Sequence, residues 1–298
     1  MKRNVIEERR NGRPRAVALL VLLATLLLAP IAQAADDTLV LGVFPRRNAA
    51  ETTRMFKPLA DHLGEQLGRK IVLVTARDFE SFWQGVTARR YDIVHYNQLH
   101  YIRSAQHYEV IAHIEESGKS TIAGVIYVRK ESGITSLAQL RGRKVLFGGG
   151  EDAMISYIAN RYLLQQAGLK KDDYQSLFAV NPPNSIVALH RQQADAAGAG
   201  DGVLDLPIVR KTIHGAELVA LASSDPLLQL PLAVKRTMQL DVRTAIQSIL
   251  VNLKNSEAGA QALKAAAMTG MGAAEDKDYD PHRRMVRAVL GPAQTAAK

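Results

Sequence analysis

Between Leu39 and Tyr96 the apolar residues switch repeatedly between a strand period and a helix period, and few folds absorb that order. Leu39 to Phe44 is an apolar run of strand length that stops at Pro45. Phe56, Leu59, Ala60, Leu63 and Leu67 then recur at helical spacing, with Gly68 where a helix turns off in the left-handed region. Ile71 to Thr75 is strand-like, Phe79, Phe82, Trp83 and Val86 form the apolar face of a short helix, and Tyr91 to Tyr96 is a buried type of strand. This βαβαβ order predicts a parallel sheet covered by helices on its faces.

The second half repeats the habit. Glu109 to His113 and Ile122 to Val128 are β-rich, Leu137 to Leu140 is a short helix, and Lys144 to Phe147 is a strand. Met154 to Ala167 reads as a helix closed by Gly168, Ile186 to His190 as helical, and Ala194 to Ala199 and Glu217 to Ala222 as strands. After Pro226 and Pro231 come a strand at Leu232 to Val234 and a helical face of Val242, Ile246, Ile249, Leu250 and Leu253. The tail beyond Gly270 shows few core signals. Two α/β halves of similar size predict two lobes around a cleft, with ligand chemistry in the loops at the carboxyl ends of the strands.

The start of the chain has a different logic. Arg9, Arg10, Arg13 and Arg15 precede an apolar run from Ala16 to Ala29, and Ala32-Gln33-Ala34 follows Pro30. This is the pattern of a secretory signal peptide cleaved after Ala34, with an apolar run shorter than the roughly 18 residues that span a bilayer. Export to the periplasm is expected. Loss of the segment removes six Lys/Arg and two Glu, lowering the formal charge from +9 to +5. The remaining cations are scattered, so nucleic acid is not an expected partner, while a mild field favours anions. The absence of cysteine excludes disulfides, a thiol nucleophile and thiolate metal sites. The spacing of His95, His100, His107 and His113, five, seven and six residues, gives no pair one helical turn apart, so no metal site is expected.

The sharpest motif is Phe147-Gly-Gly-Gly-Glu-Asp-Ala153 between a strand and a helix. Glycines admit close backbone approach, and a helix start offers unpaired N–H groups to an anion; the plain alternative is a tight turn capped by Asp152. Gly148, Gly150 and Ala153 also fit the dinucleotide pattern G-x-G-x-x-[GA], with Asp172 and Asp173 about twenty residues on. Gly118-Lys119-Ser120 lacks the first glycine of a P-loop because His113 occupies that place. In Tyr91-Asp-Ile-Val-His-Tyr-Asn97, the residues His95, Tyr96 and Asn97 fall at the mouth of the sheet as hydrogen-bonding groups. Asn184 and Ser185 at a helix start and Asp201 after a strand complete a polar ring. No G-x-S-x-G, no H-E-x-x-H and no Ser/His/Asp order is present, so no enzyme activity and no cofactor are expected.

Several of these segments stand in a familiar order. Leu39-Val-Leu-Gly-Val-Phe-Pro, Tyr91-Asp-Ile-Val, Arg129-Lys-Glu-Ser-Gly-Ile, Leu140-Arg-Gly-Arg-Lys-Val and Ala194-Asp-Ala-Ala-Gly-Ala resemble the phosphate/phosphite/phosphonate periplasmic binding proteins of ABC transporters over most of residues 38 to 255. The resemblance implies a type II periplasmic-binding fold: α/β, two lobes, two hinge crossings and a ligand in the interlobe cleft. It assigns residues 35–127 and 226–298 to the first lobe and 128–225 to the second. It implies a phosphonate-like or other small polar anion as ligand, a membrane permease as partner, and a monomer. Tyr96, Asn97, Gly149, Gly150, Asp152, Ala153, Asn184, Ser185 and Asp201 are the candidate ligand residues. The family's Ser-Thr-Ser-Gly run is replaced here by Ala153, Met154, Ile155 and Ser156 after two carboxylates, and its next helix-start histidine by Asn184. The alternatives are a ligand-sensing partner of a membrane histidine kinase, and an exported dinucleotide-dependent enzyme using residues 148–153.

Overall fold

The computed structural model describes residues 38–213 and 217–294. The expected signal peptide and its cleavage site lie outside the described residues. The alternation of periods becomes two open sheets. Strand β1 (Thr38–Val43) is followed by helix α1 (Ala49–Leu67), β2 (Lys70–Val74), α2 (Phe79–Thr87), β3 (Ile93–His95), α3 (Gln98–Ser104) and β4 (Tyr108–Glu115). β1 runs parallel to both β2 and β3, as the crossover helices require.

The chain then leaves through the short strand β5 (Thr121–Ile122) into β6 (Gly124–Arg129). β7 (Lys144–Gly148) leads to a π-wound turn (Met154–Ala159) that runs without a break into α4 (Asn160–Gln166). β8 (Gln175–Ala179), α5 (Pro182–His190), β9 (Ala196–Gly200), α6 (Pro207–Arg210) and β10 (Leu218–Ser223) complete the second sheet. Its strand order is β10-β6-β9-β7-β8, with β7 parallel to both β8 and β9.

The chain returns through β11 (Leu227–Leu228), which pairs antiparallel with β5, so the two passages between the sheets form one small ribbon. β12 (Pro231–Lys235), α7 (Leu240–Val251), α8 (Glu257–Ala265) and β13 (Gly270–Ala273) rejoin the first sheet, whose order is β13-β4-β12-β3-β1-β2. The chain ends in α9 (Asp280–Leu290) and a final turn.

Apolar clusters occupy both faces of each sheet. Phe56, Leu59 and Leu63 of α1 pack with Ile246 and Leu250 of α7 over one face of the first sheet. Phe82, Val86, Tyr91, Tyr96, Tyr101, Tyr108 and Tyr279 fill the other. Leu99 and Ile102 of α3 and Met285 and Val286 of α9 enter the cluster of Phe147, Tyr157 and Leu164 beside the second sheet, so α3 and α9 tie the halves together. The tail beyond Gly270, expected to carry few core residues, therefore contributes Met271, Tyr279, Met285 and Val286 to buried clusters. Its apolar residues are isolated between charges, a pattern that hides a narrow amphipathic stripe.

Among the described residues no helix is long and apolar enough to cross a membrane.

Candidate functional site

The parallel strands set the site by geometry. β1, β2 and β3 end at Val43, Val74 and His95 and lead into Phe44–Arg46, Thr75 and Tyr96–Asn97, while β7, β8 and β9 end at Gly148, Ala179 and Gly200 and lead into Gly149, Val180 and Asp201. These are the carboxyl ends at which open α/β sheets hold ligands.

On the second sheet the glycine loop is held close to its neighbour. A Cβ on Gly148 would sit 2.3 Å from the Cα of Pro182, so only glycine lets β7 end against the start of α5. Gly149 has φ +94° and donates its N–H to the Ala179 carbonyl at 2.8 Å. The Ala153 amide donates to the Gly150 carbonyl at 3.0 Å. The amides of Gly149 and Ala153, expected to face a ligand, are thus spent inside the loop. The unspent donors move on to Met154, Ile155 and Ser156, which open the helix and have no intrahelical acceptor. Ala153 occupies the cap position and supplies no side-chain bond.

The helix is π-wound for a local reason. The amide of buried Asn160 donates to the carbonyls of Ile155 at 3.0 Å, Ser156 at 3.2 Å and Ala199 at 3.1 Å, an insertion that disturbs the ordinary ladder. Ser156 turns its hydroxyl back to the Gly148 carbonyl.

Asp152 does not cap this helix. Its carboxylate accepts from Arg103 of α3 at 3.1 Å, and its carbonyl accepts from the Asn97 side chain at 3.3 Å. Asn97 also caps α3 by accepting from the His100 amide at 2.8 Å. Asn97 and the 149–153 loop are therefore brought together.

Other candidates stand apart. Tyr96 is fully buried, with its hydroxyl on Ser104 at 3.0 Å, in a cluster with Tyr101 and Tyr108. Ser185 is buried and donates to the Pro182 carbonyl at 2.8 Å. The cap of α5 is Asn181, whose side chain accepts from the Asn184 amide at 3.0 Å, so that helix starts earlier than its apolar period suggested. The two prolines occupy its first turn, where a missing N–H costs nothing. Asp201 lies beside the ribbon, accepting from the Ala123 amide at 3.4 Å with Lys119 3.7 Å away.

The first sheet contributes a wall that the sequence reading undervalued. Arg46 donates to Glu116 at 2.7 Å and lies 5.8 Å from the Phe44 ring. Phe44 sits 5.3 Å from His95 and 5.8 Å from Phe79, Phe79 sits 6.4 Å from His100, and Trp83 stacks on His100 at 4.9 Å. Phe79 keeps 47% of its surface exposed. Phe79 and Trp83, spaced i, i+4, lie at the wall edge of the one apolar stripe that the sequence predicts for this helix, while Phe82 and Val86 of the same stripe are buried in the core cluster.

Along this wall Arg46 Nη1, His95 Nε2, His100 Nδ1 and Arg103 Nε are buried without a hydrogen-bond partner among the described residues. Burial lowers the pKa of His95 to about 3, helped by the nearby Arg46 charge, and that of His100 to about 4. Both are neutral at physiological pH. Four of the ten buried, unpartnered side-chain atoms among the described residues thus fall along this wall.

A separate surface groove at Arg129, Lys130, Glu131, His190, Gln192 and Glu217 is largely internally satisfied. Arg129 there donates to the Leu189 and Ala194 carbonyls, and His190 pairs with Glu217.

Two α/β halves joined by a paired ribbon, with polar loops facing each other at the strand ends, define a two-lobed ligand-binding protein of the type II periplasmic class. Residues 41–279 match the family described as ABC transporter, phosphonate, periplasmic substrate-binding protein, and the chain belongs to that family. It is therefore a periplasmic substrate-binding component of an ABC transporter, serving a permease, in a family that binds its ligand and does not turn it over.

Solved structures agree on the fold. A protein of Xanthomonas citri bound to ATP superposes with a TM-score of 0.73 at 17% identity, covering 85% of this chain and 97% of that one. PhnD1 of Prochlorococcus marinus in complex with methylphosphonate gives 0.72 at 16%, covering 86% and 100%. A binding-protein component of an ABC phosphonate transporter of Pseudomonas aeruginosa gives 0.67 at 15%, covering 85% and 86%.

The dinucleotide alternative is corrected by topology. The acidic partner of that motif belongs at the carboxyl end of the second strand, but Asp172 and Asp173 precede β8 and so lie at the opposite end of the sheet from the glycine loop. The sensor-kinase alternative likewise draws no support from the family match.

Proposed function

We propose that this chain holds a phosphonate-type oxyanion between Arg46, His95, Asn97 and His100 on one wall and the 149–153 loop with the amides of Met154, Ile155 and Ser156 on the other. Gly149 and Gly150 allow the loop its shape, Asp152 and Ala153 set its approach to α3, and Asn184 and Asp201 flank it. Tyr96 and Ser185 brace the walls from beneath. Residues 35–127 with 226–298 form one lobe and 128–225 the other, hinged at the β5–β11 ribbon, in a monomer released by cleavage after Ala34. Ligand contacts made by both lobes favour the closed form that a permease recognises.

The observations that support this reading are the four unpartnered buried nitrogens of the first wall and the Asn97 and Arg103 contacts to Asp152, which bring the loop before the uncapped helix start to that wall. A buried donor left without a partner costs about 1–3 kcal/mol, which a polar ligand recovers on binding.

Calorimetric titration of the protein with methylphosphonate, phosphate, sulfate and methanesulfonate tests it. Saturable binding of one of them, weakened about ten- to a hundredfold by Arg46→Ala, is expected from the loss of a charge-assisted bond. Binding of none would sink the proposal.

A further inference from the structure

His95 carries more information than its polarity. It ends β3, is buried to 1% exposure, and is packed between Phe44 and Phe56 with ring centroids at 5.3 and 5.4 Å. Its Nδ1 lies 3.1 Å from the carbonyl of Pro231 on β12. A carbonyl oxygen only accepts, so Nδ1 must carry the proton. A neutral imidazole has a single N–H, and Nε2 is therefore a lone-pair acceptor. Low pKa keeps the ring from gaining a second proton near neutrality.

Nε2 is buried and has no partner among the described residues. The same holds for Nη1 of Arg46, whose charge is felt at His95. One of these atoms can only donate and the other can only accept. The surroundings add no further charge at His95 beyond Arg46 and, through its 2.7 Å ion pair, Glu116; α1 presents Phe56 and β12 a carbonyl. A single group that satisfies both must accept from Arg46 and donate to His95. A hydroxyl does so, and so does the P–OH of a singly ionised phosphonate. A fully ionised sulfonate or sulfate does not, because it brings only lone pairs to a lone pair.

We infer that His95 makes the cleft selective for an oxyanion that retains a proton, the monoanionic form of a phosphonate, over a sulfonate of the same shape. The inference rests on the binding reading above and deepens it. Sites with a fixed hydrogen-bond acceptor reject ligands that lack the matching donor, because the buried groups are then left unpaired. Affinity for the phosphonate then falls as its second proton dissociates, while His95 itself stays neutral over the same range.

The test is calorimetric titration of the purified full chain with methylphosphonate and methanesulfonate, at a pH below and a pH above the second ionisation of the phosphonate. At the lower pH the phosphonate is expected to bind at least about tenfold more tightly than the sulfonate, and to weaken at the higher pH. The His95→Phe variant should lose the preference and the pH dependence together. Because His95 is buried, that variant counts only if its thermal transition stays cooperative; the wild-type comparison needs no variant. Equal binding of the two ligands, with no pH dependence of the phosphonate, overturns the inference and leaves the binding reading standing, with an ordered water as the partner of both nitrogens. Binding of neither overturns both.

Discussion

The guanidinium of Arg103 on α3 meets the carboxylate of Asp152 in the glycine loop at 3.1 Å, joining the two facing walls of the cleft by an ion pair. Arg103 is otherwise held at Gln294 by 2.8 Å, and Asn97 reaches the carbonyl of the same Asp152. The Asp152 carboxylate is thus matched by a cation from the other half. Its charge is neutralised locally, while the Gly149 and Ala153 amides of the loop are already bonded to the Ala179 and Gly150 carbonyls.

The pair should act on cleft geometry more than on stability. Asp152→Ala is expected to shift unfolding by less than about 1 kcal/mol, since the Asp152 side chain is 55% exposed and such pairs are worth little. Small-angle scattering of the ligand-free protein should nevertheless show a larger radius of gyration than wild type. An unchanged radius would mean that the ion pair does not hold the walls together.

Acid should destabilise the fold over a defined window. His95 is lowered to about 3, and His100 and His282 to about 4, in each case chiefly by burial. Their ordinary value is 6.5, so between pH 6.5 and about 4 the unfolded chain binds protons that the folded chain refuses. Stability is complete above that window and falls as pH drops through it, by on the order of 1–2 kcal/mol per histidine at pH 5. Urea unfolding between pH 7.5 and 5 checks this; a flat profile would contradict the burial of these rings.

Two neighbouring glycines should behave oppositely. Gly148→Ala puts a Cβ against the Pro182 backbone and is expected to cost about 1–3 kcal/mol and to displace the loop, weakening ligand binding. Gly150→Ala meets nothing within 4 Å and should leave thermal stability and affinity near wild type. Equal effects at the two positions would contradict the close approach of β7 to α5.

Trp83 is the single tryptophan of the chain and stacks on His100 at the wall. Ligand binding should therefore change its emission, and a titration followed by fluorescence should give the calorimetric dissociation constant. Phe79→Ala, at a half-exposed position, should cost less than about 1 kcal/mol of stability while altering that spectral response. Saturable heat without any change in emission would place the ligand away from this wall.

The α/β order was legible because period and length report secondary structure locally: Leu39 to Phe44, the α1 face and the Tyr91 to Tyr96 run all became the elements their spacing predicted. The parallel sheet followed from crossover length, and with it the rule that ligand loops sit at strand carboxyl ends. Asn97 and the glycine loop could be picked out because their types and their position after a strand are both local facts.

Sequence could not say which way side chains turn once the elements pack. Whether Tyr96 faced the cleft or the tyrosine cluster was decided by its packing against Tyr101 of α3 and Tyr108 of β4, and whether the loop amides were free was decided by the Ala179 and Gly150 carbonyls. The start of α5 was hidden because Pro182 and Pro183 carry no helical apolar signal, although Asn181 caps them. The wall of Arg46, Trp83, His95 and His100 joins segments separated in sequence, and the burial of the unpaired nitrogens of Arg46, His95 and His100 arises only when the end of β1, α2, β3 and α3 are brought together. Periodicity and turn chemistry therefore determined the elements and their order, while burial and hydrogen-bond competition, which depend on contacts between remote residues, decided which polar groups were left without a partner.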